Sequence, residues 1–268
     1  MTLPFAAETP LRVIPLASGS KGNAWLIESG GFRLLMDDGL PVSTLAGKLV
    51  QAGLTLESLD GVVFTHHHND HIAGAGPLLR KRGIPYWCSE TAYRMALKKE
   101  PKLGAPNLIR GGAPFQAGPL TVLPVVVPHD AEETFALKFT AGGASFAYAS
   151  DLGYPARAVL DMLKGSTLLA WEFNHDEELL ANYHGYPEPI KVRIAGHYGH
   201  LSNDQAGAGL AELLHPDLQH LWLVHLSEKT NRPPLALQRA RETLANWGAA
   251  PAHAIAHQHE AGDWVSVR

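Results

Sequence analysis

The stretch 61–76, "GVVFTHHHNDHIAGAG", places four histidines and an aspartate within six positions, directly after an apolar run. The run and the glycines that follow predict a buried strand ending in a loop, which is where α/β folds carry their chemistry. His66 and His68 are two residues apart, so on an extended segment their side chains leave on the same side. Asp70 and His71 follow as the chain turns. Because imidazole and carboxylate together suit Zn²⁺, Mn²⁺ or iron, the stretch predicts a metal site.

The alternative interpretation of this stretch is a solvated polar loop. That interpretation is the weaker one, because gathering so many polar groups at the end of a buried strand without a metal is costly. His67 differs from its neighbours, since it points to the other side of an extended segment. Its spacing indicates a residue that supports the site or lies on the surface.

Three other predicted strands also end in residues of metal-ligand type. His129 ends "VLPVVVPH", Asp151 ends "SFAYASD" and His225 ends "HLWLVH". One histidine at a strand end is more often structural, but three such residues beside a dense cluster favour additional ligands. Two metal ions held close together need more than the four ligands of the histidine stretch.

The length, net charge and cysteine count of the chain limit the classes of protein to which it can belong. The 268 residues carry a net charge of −4, which argues against a surface made to coat nucleic acid but leaves a local basic groove open. The single cysteine, Cys88, predicts a reducing compartment. Residues 1–10 show no signal segment and no apolar run reaches membrane-spanning length, so we expect a cytoplasmic protein without membrane association. We expect one domain over residues 1–268, and the sequence leaves the oligomeric state open.

Strand and helix patterns alternate along the chain. Three short strands between residues 12 and 36 precede a helix at 44–54, and a later helix begins at the predicted N-cap Ser89. The region 120–149 is rich in strands, and helices and strands alternate again after it. This order predicts sheets covered by helices. The histidines of the tail, 253–268, are interpreted as surface polar positions on a terminal strand.

The order of these motifs resembles that of the metallo-β-lactamase superfamily. "LLMDDG" (34–39) resembles the first motif, with Asp37 in its position, and the histidine stretch resembles the second. His129, Asp151 and His225 match the third, fourth and fifth motifs. The resemblance implies an α/β fold, a four-layer αββα sandwich with the metals at one edge.

The resemblance also implies a set of ligands for two divalent metal ions, Zn²⁺ or Mn²⁺, with iron as a further option. One ion would be held by His66, His68 and His129. The other would be held by Asp70, His71 and His225, with Asp151 bridging the two. Asp37 would orient ligands rather than bind metal. Asp38 departs from the small residue or cysteine that is usual in relatives, and the direction of its effect on the site stays open.

Further segments narrow the resemblance to the YycJ (WalJ)-type proteins of this superfamily. They are "LASGSKGN" (16–23), "EFNHD" (172–176), "YPEPIKVRI" (186–194), "GHLSN" (199–203) and "HLSEKTNRPPLA" (225–236). The resemblance runs from about residue 11 to about residue 245. It implies a DNA exonuclease, with 5′→3′ action on linear duplex DNA and a place in DNA repair.

Phosphodiester hydrolysis requires a nucleophile, charge stabilisation and a proton for the leaving oxygen. A hydroxide that bridges two metals supplies the first, and both ions stabilise the phosphate oxygens. For the proton we expect His200, held in its protonated form by Glu172, a pairing that resembles the one in transfer-RNA 3′-processing endonucleases. The alternative is that Glu172 only pairs with a nearby Lys or Arg. The expected catalytic residues are therefore Asp70, Glu172 and His200.

The matching segments also indicate residues that contact substrate. The glycine-rich turn at 18–23 is a hairpin whose amides suit a phosphate, and cations near the same edge suit the DNA backbone. The expected contacts are Ser18, Ser20, Lys21, Asn23, Asn174, His175, Asp176, Ser202, Asn203, Lys229, Asn231 and Arg232, with Lys191 and Arg193 as an extension.

Three other functions compete with the exonuclease. A phosphodiesterase for small cyclic or sugar-phosphate substrates would use the same metals and acid, so only the groove would differ. A thioester or lactam hydrolase is a weaker alternative, since it would not need Glu172 with His200. A non-catalytic binding module would have lost metal ligands, yet all of those expected are present.

Overall fold

A computed structural model describes residues 9–247 and 250–268, which form two seven-stranded sheets. The expectation of no signal segment in residues 1–10 falls mostly outside the described residues. Among the described residues, no helix combines the length and the apolar character that crossing a membrane requires.

The first sheet combines antiparallel hairpins with a parallel edge. Its strands are β1 (Leu11–Ala17), β2 (Ala24–Ser29), β3 (Phe32–Met36), β4 (Gly61–Val63), β5 (Tyr86–Cys88), β6 (Asn107–Leu108) and β14 (Val265–Val267). Their order across the sheet is β14-β1-β2-β3-β4-β5-β6. The pairs β3–β4 and β4–β5 are parallel, so the carboxyl ends of these strands meet at one edge.

The second sheet has the same mixed character. It consists of β7 (Phe115–Ala117), β8 (Leu120–Val126), β9 (Phe135–Ala141), β10 (Ala144–Ala149), β11 (Leu168–Glu172), β12 (His220–Val224) and β13 (Ala252–Ile255). Strands β7 to β10 form an antiparallel meander, and β10 to β13 are parallel to one another. The predicted order along the chain is strands alternating with helices, then a region rich in strands, then alternation again. This order corresponds to the two sheets.

Helices connect the strands, and several of them cover the outer faces of the two sheets. The helices are α1 (Val42–Gln51), α2 (Asn69–Ile72), α3 (Ala75–Arg82), α4 (Glu90–Lys99), α5 (Arg157–Leu163), α6 (Glu177–Asn182), α7 (Glu188–Ala195), α8 (Asn203–Leu213) and α9 (Pro233–Ala245). The predicted cap of α4 is confirmed, since the Ser89 side chain accepts a hydrogen bond from the Ala92 amide at 3.0 Å. Helix α3 ends at Gly83, whose φ of 61° lies in the left-handed region.

Three buried apolar layers separate these elements. One layer joins α1 and α3 to the first sheet, and another joins α5, α8 and α9 to the second. The third lies between the sheets and combines residues from both. The expected four-layer αββα sandwich is therefore confirmed.

Trp25 on β2 connects the two sheets. Its ring is fully buried and stacks on Phe146 at a centroid distance of 5.7 Å. It also makes edge contacts with Tyr148 at 5.6 Å and Trp222 at 5.5 Å, and all three partners belong to the second sheet. This cluster sets the relative position of the strands whose ends carry the predicted ligands.

The C-terminal segment divides between the sheets, which corrects the interpretation of the tail as one terminal strand. His253 lies on β13 in the second sheet, while His257 and His259 lie in the connection to β14 in the first. This connection holds the glycine-rich turn, because the Ser18 amide donates to the His257 carbonyl at 3.0 Å. The Gln258 side chain also binds the backbone of that turn at 2.8 and 2.9 Å.

We predict that Trp25→Ala destabilises the protein by about 3–5 kcal/mol, because it leaves a cavity between the two sheets. Urea denaturation gives the free energy of unfolding. Trp247→Ala, at a residue that is 43% exposed, is the matched control and should change that free energy by less than about 0.5 kcal/mol. Equal effects of the two substitutions would contradict the bridging role of Trp25.

Candidate metal centre

The predicted site residues lie where strands of the two sheets end. Asp37 follows β3 and His66 lies shortly after β4, whereas Asp151 follows β10 and His225 follows β12. Asp37, Asp151 and His225 have φ values of 60°, 58° and 57°. Residues other than glycine adopt this left-handed region only when their surroundings hold them there, and such residues concentrate at functional sites.

The first group of polar side chains is made of imidazoles. The ring nitrogens of His66, His68 and His129 come within 4.8 Å of one another. His68 Nδ1 lies 3.2 Å from His129 Nε2, and His129 Nδ1 lies 3.2 Å from the Gly199 carbonyl. His66 Nε2 is buried and has no hydrogen-bond partner among the described residues.

The second group mixes imidazoles with carboxylates. Asp70, His71, Asp151 and His225 also place one ligand atom each within 4.8 Å of the others. His71 Nε2 lies 3.2 Å from Asp151 Oδ2 and 3.4 Å from Asp70 Oδ2. Asp70 Oδ2 is likewise 3.4 Å from His225 Nε2. The sequence-predicted sets of ligands are thus brought together in space.

Glu172, the last residue of β11, connects this centre to His200. Its Oε1 lies 3.0 Å from His200 Nδ1 and 3.1 Å from His225 Nδ1. The backbone amides of Asp151 and Leu201 donate to its carboxylate at 2.9 Å each. The carboxylate is completely buried and yet fully hydrogen-bonded, which meets the condition for burying a charge.

Asp37 orients the centre through two residues of the histidine stretch. Its Oδ2 lies 2.7 Å from His71 Nδ1, which leaves His71 Nε2 facing the other ligands. Thr65 donates to both Asp37 oxygens at 2.8 Å, from its amide and its hydroxyl. Sequence reasoning missed Thr65, because a threonine at the end of a strand carries no signal until its partner across the sheet is known.

The electrostatics of the imidazole group favour its neutral form. Burial lowers the pKa of His66, and neighbouring His71 lowers it further. Burial likewise lowers the pKa of His68 to about 4 and lowers that of His129. Neutral imidazole is the form that binds a metal ion.

The carboxylates of the centre are held in the ionised form. Burial raises the pKa of Glu172, but His200 and hydrogen bonds from His200 and His225 lower it to about 2. Burial also acts to raise the pKa of Asp151, yet His225 and His71 bring it well below its ordinary value.

In the second group, burial acts to lower the pKa values of His71 and His225, but the surrounding carboxylates raise the pKa of His71 and bring that of His225 to about 10. A cation bound there would replace the protons on these rings. The ionised carboxylates, the neutral imidazoles of the first group and the unpartnered His66 Nε2 form a set of ligands that fits divalent cations.

Asp38 behaves differently from its neighbour. Its carboxyl is fully buried, and neither oxygen has a hydrogen-bond partner among the residues described. Burial raises the pKa of Asp38 to about 8, and the charge of Asp37 adds to this effect. At neutral pH the carboxyl is mostly protonated, so this departure from the family pattern adds little charge to the centre.

The structure brings two of the expected substrate contacts into the centre itself. Asn23 is buried, and its side-chain amide nitrogen lies 3.0 Å from His71 Nε2. The Ser18 hydroxyl accepts a hydrogen bond from the His225 amide at 2.9 Å. Both side chains therefore contact residues that are themselves predicted metal ligands.

Several other expected contacts are engaged inside the protein. The Asn231 amide donates to the Phe173 and Asn174 carbonyls and to the Asn203 side chain. Asp176 caps α6 and Ser202 caps α8. Buried side chains in this set are Asn174, His175, Ser202, Asn203 and Asn231.

The remaining expected contacts lie on the surface, where their charges are partly paired. Ser20, Lys229 and Arg232 are exposed. Lys21 pairs with Glu228 at 2.6 Å and Arg193 pairs with Asp130 at 2.5 Å. Lys191 donates to the Ala181 carbonyl at 2.5 Å. A basic groove built from these residues stays a prediction.

Comparison with known proteins places this geometry in a family. The sequence profile described as "Metallo-beta-lactamase superfamily" matches residues 17–169. The fold of YhfI from Bacillus subtilis, a metallo-β-lactamase fold protein, resembles this one with a TM-score of 0.73 at 20% identity, covering 96% of this chain and all of that one.

Two curated relatives are similar over most of their length. The chain is 30% identical over 235 residues to "Exodeoxyribonuclease YycJ" of Bacillus anthracis, covering 87% of this chain and 89% of the relative. It is also 30% identical over 226 residues to "Exodeoxyribonuclease WalJ" of Streptococcus pneumoniae, with coverage of 82% and 83%.

We predict that Asp37→Asn weakens the affinity for Zn²⁺ or Mn²⁺ by about 10–100-fold, because the amide is a poorer partner for His71 Nδ1. Competition with a chromophoric chelator measures this affinity. Asp263→Asn, an exposed position, is the control and should leave it unchanged. An Asp37→Asn protein that folds and binds metal like the control would show that Asp37 does not orient the centre.

Proposed function

The chain belongs to the metallo-β-lactamase superfamily, and we propose that it is a dinuclear-metal phosphodiester hydrolase that acts as a 5′→3′ exonuclease on duplex DNA. The observation that carries the proposal is the pairing of His200 with Glu172, whose carboxylate also contacts His225. This pairing sets a proton-donating group beside the groups of metal-ligand type, as phosphodiester hydrolysis requires.

Two ions suit the charge of the centre. Asp37, Asp70, Asp151 and Glu172 together carry four negative charges when ionised, and two divalent cations would balance them. In the proposed assignment, His66, His68 and His129 would hold one ion and Asp70, His71 and His225 would hold the other, with Asp151 as a further ligand. Ions bound there, Zn²⁺ or Mn²⁺, would supply an acidified water and neutralise charge on the phosphate.

His200 is proposed to protonate the leaving oxygen. Its Nδ1 is bound to Glu172, which leaves Nε2 on the opposite side of the ring. The His200 side chain is 21% exposed, so a substrate can reach it, whereas Glu172 is completely buried. Glu172 therefore acts through His200, by fixing the orientation of its ring.

DNA as substrate is supported by the two relatives named exodeoxyribonucleases, which match this chain over most of their length. The polarity, the preference for duplex and the role in DNA repair rest on the family resemblance. A cytoplasmic location forms part of the proposal, and its support is the single cysteine, Cys88, which is buried and free.

We expect the purified protein with Mn²⁺ to shorten 5′-phosphorylated, end-labelled linear duplex DNA progressively. Release of a 5′ label as mononucleotide, while a 3′ label stays on progressively shorter strands, would establish the polarity. Asp70→Ala should lack the activity, because it removes a proposed metal ligand. A metal-loaded protein that cleaves a small phosphodiester but no DNA would favour the small-substrate alternative and contradict the exonuclease.

We expect His200→Ala to lower kcat on DNA by about 10²–10⁴-fold, the range typical of general acid catalysis. Turnover of bis(p-nitrophenyl) phosphate should fall much less, because its leaving group needs no proton. His184→Ala, at an exposed histidine, is the matched control. Equal losses on both substrates would argue that His200 has only a structural role.

A further inference from the structure

Positive charge is concentrated in one part of a chain that is acidic as a whole. Residues 75–110 contain eight Lys or Arg against two Glu, a net charge of +6. The other residues contain 14 Lys or Arg against 24 Asp or Glu, a net charge of −10. The basic segment comprises α3, β5, α4 and the loop to Arg110, and it was not among the substrate contacts expected from the sequence.

Most cations of this segment are exposed and have no acidic partner. Lys81, Arg94, Lys98, Lys102 and Arg110 are exposed. None of them is in a salt bridge within the described part of the chain, whereas Arg80 pairs with Glu100. Lys99 is also exposed and has the Asn69 side chain as a neutral partner. Unlike Lys21 and Arg193, these cations are free to meet a polyanion.

A cleft connects this basic segment to the candidate metal centre. It lies between the α2–α3 region and α4 and encloses about 330 Å³. His68, a proposed metal ligand, lines it, and Lys99 lines it from the end of α4. Glu100 also lines it, and its charge is paired with Arg80. Ile72, Met95 and Leu103 give it an apolar wall. The volume is at the small end for ligand pockets, so it suits one nucleotide unit and not a duplex.

His67 adds a polar group to the same cleft. Its ring is half-buried and lines the cleft beside His68. Its Nδ1 is buried and has no hydrogen-bond partner among the residues described. Apolar surface, imidazole rings and a lysine in one cleft are features that recognise a base and its phosphate together.

We propose that this cleft receives the terminal nucleotide of the DNA strand being cleaved, with the base against Met95 and Leu103. One flanking phosphate lies at Lys99, which lines the cleft, and the next lies at Lys98, the exposed neighbour of Lys99 on α4. This inference rests on the proposed exonuclease function and names its substrate-binding surface. The neighbouring cations of α3 and α4 then carry the strand away from the metal centre. DNA therefore approaches from the first sheet's helices and not from the Lys21 side.

The test compares three forms of the Mn²⁺-loaded enzyme on labelled duplex DNA and on bis(p-nitrophenyl) phosphate. Lys98→Ala/Lys99→Ala should raise KM for DNA roughly tenfold or more, since charged hydrogen bonds are lost. The slope of log kcat/KM against log salt concentration is expected to be negative for the wild type. It should become less steep by about two in this variant, one for each phosphate contact that is lost. Lys164→Ala/Arg241→Ala, which removes two charges on the second sheet's side, is the control. Turnover of the small substrate by the control variant should equal that of the wild type.

A second substitution tests the apolar wall without changing charge. Met95→Trp fills the cleft and should raise KM for DNA, while Val50→Trp on α1, at a residue that is 66% exposed, should not. An effect of the lysines without an effect of Met95→Trp would overturn the placement of the base.

The remaining outcomes separate this inference from the proposed function. Wild-type DNA cleavage with a lysine variant that behaves like its control would overturn the inference and leave the exonuclease intact. Wild-type protein that hydrolyses the small substrate but neither binds nor cleaves DNA would overturn both.

Discussion

The packing of the two sheets against each other is the constraint on which the site depends. Asp37 and His66 extend from the first sheet, whereas Asp151, Glu172 and His225 extend from the second. The group of His66, His68 and His129 and the group of Asp70, His71, Asp151 and His225 each take residues from both sheets, so these two groups form only when the inner apolar faces are joined. The buried aromatic cluster around Trp25 therefore contributes to function as well as to stability, because a shift between the sheets would separate His71 from Asp151.

The free-energy cost of burying the carboxylates and imidazoles of the centre explains much of the local structure. Buried carboxylates and imidazoles are costly unless they find partners, and here the two central carboxylates, Asp151 and Glu172, are each shared between histidines. Asp151 lies between His71 and His225, and Glu172 lies between His200 and His225. Three of the residues also adopt left-handed backbone conformations. Such strain persists because the surrounding hydrogen bonds over-determine the geometry, and this arrangement is typical of a pre-organised site.

Charge is also distributed unevenly over the molecule, in a way that bears on its function. The centre gathers carboxylates that suit cations, while the helices α3 and α4 beside it carry unpaired cations that suit a polyanion. A cation-binding centre next to a cationic surface is the combination that phosphodiester cleavage in a nucleic acid needs, because the backbone must be attracted while the scissile phosphate is neutralised. The net charge of −4 does not reveal this separation of acidic and basic regions.

The sequence by itself determined the alternation of strands and helices, the strands from 24 to 36, the cap at Ser89 and the grouping of His66, His68, Asp70 and His71, because periodicity and short-range spacing report local geometry. The four-layer fold was implied by the family resemblance. The sequence also indicated His129, Asp151 and His225, since strand ends meet at one edge of a sheet. Only the tertiary structure decided the partners that lie far apart in the chain. Thr65 against Asp37, the buried Asp38, the interior position of Asn231 and the cleft between α3 and α4 all depend on contacts across the sandwich. Spacing along a chain carries no record of those contacts.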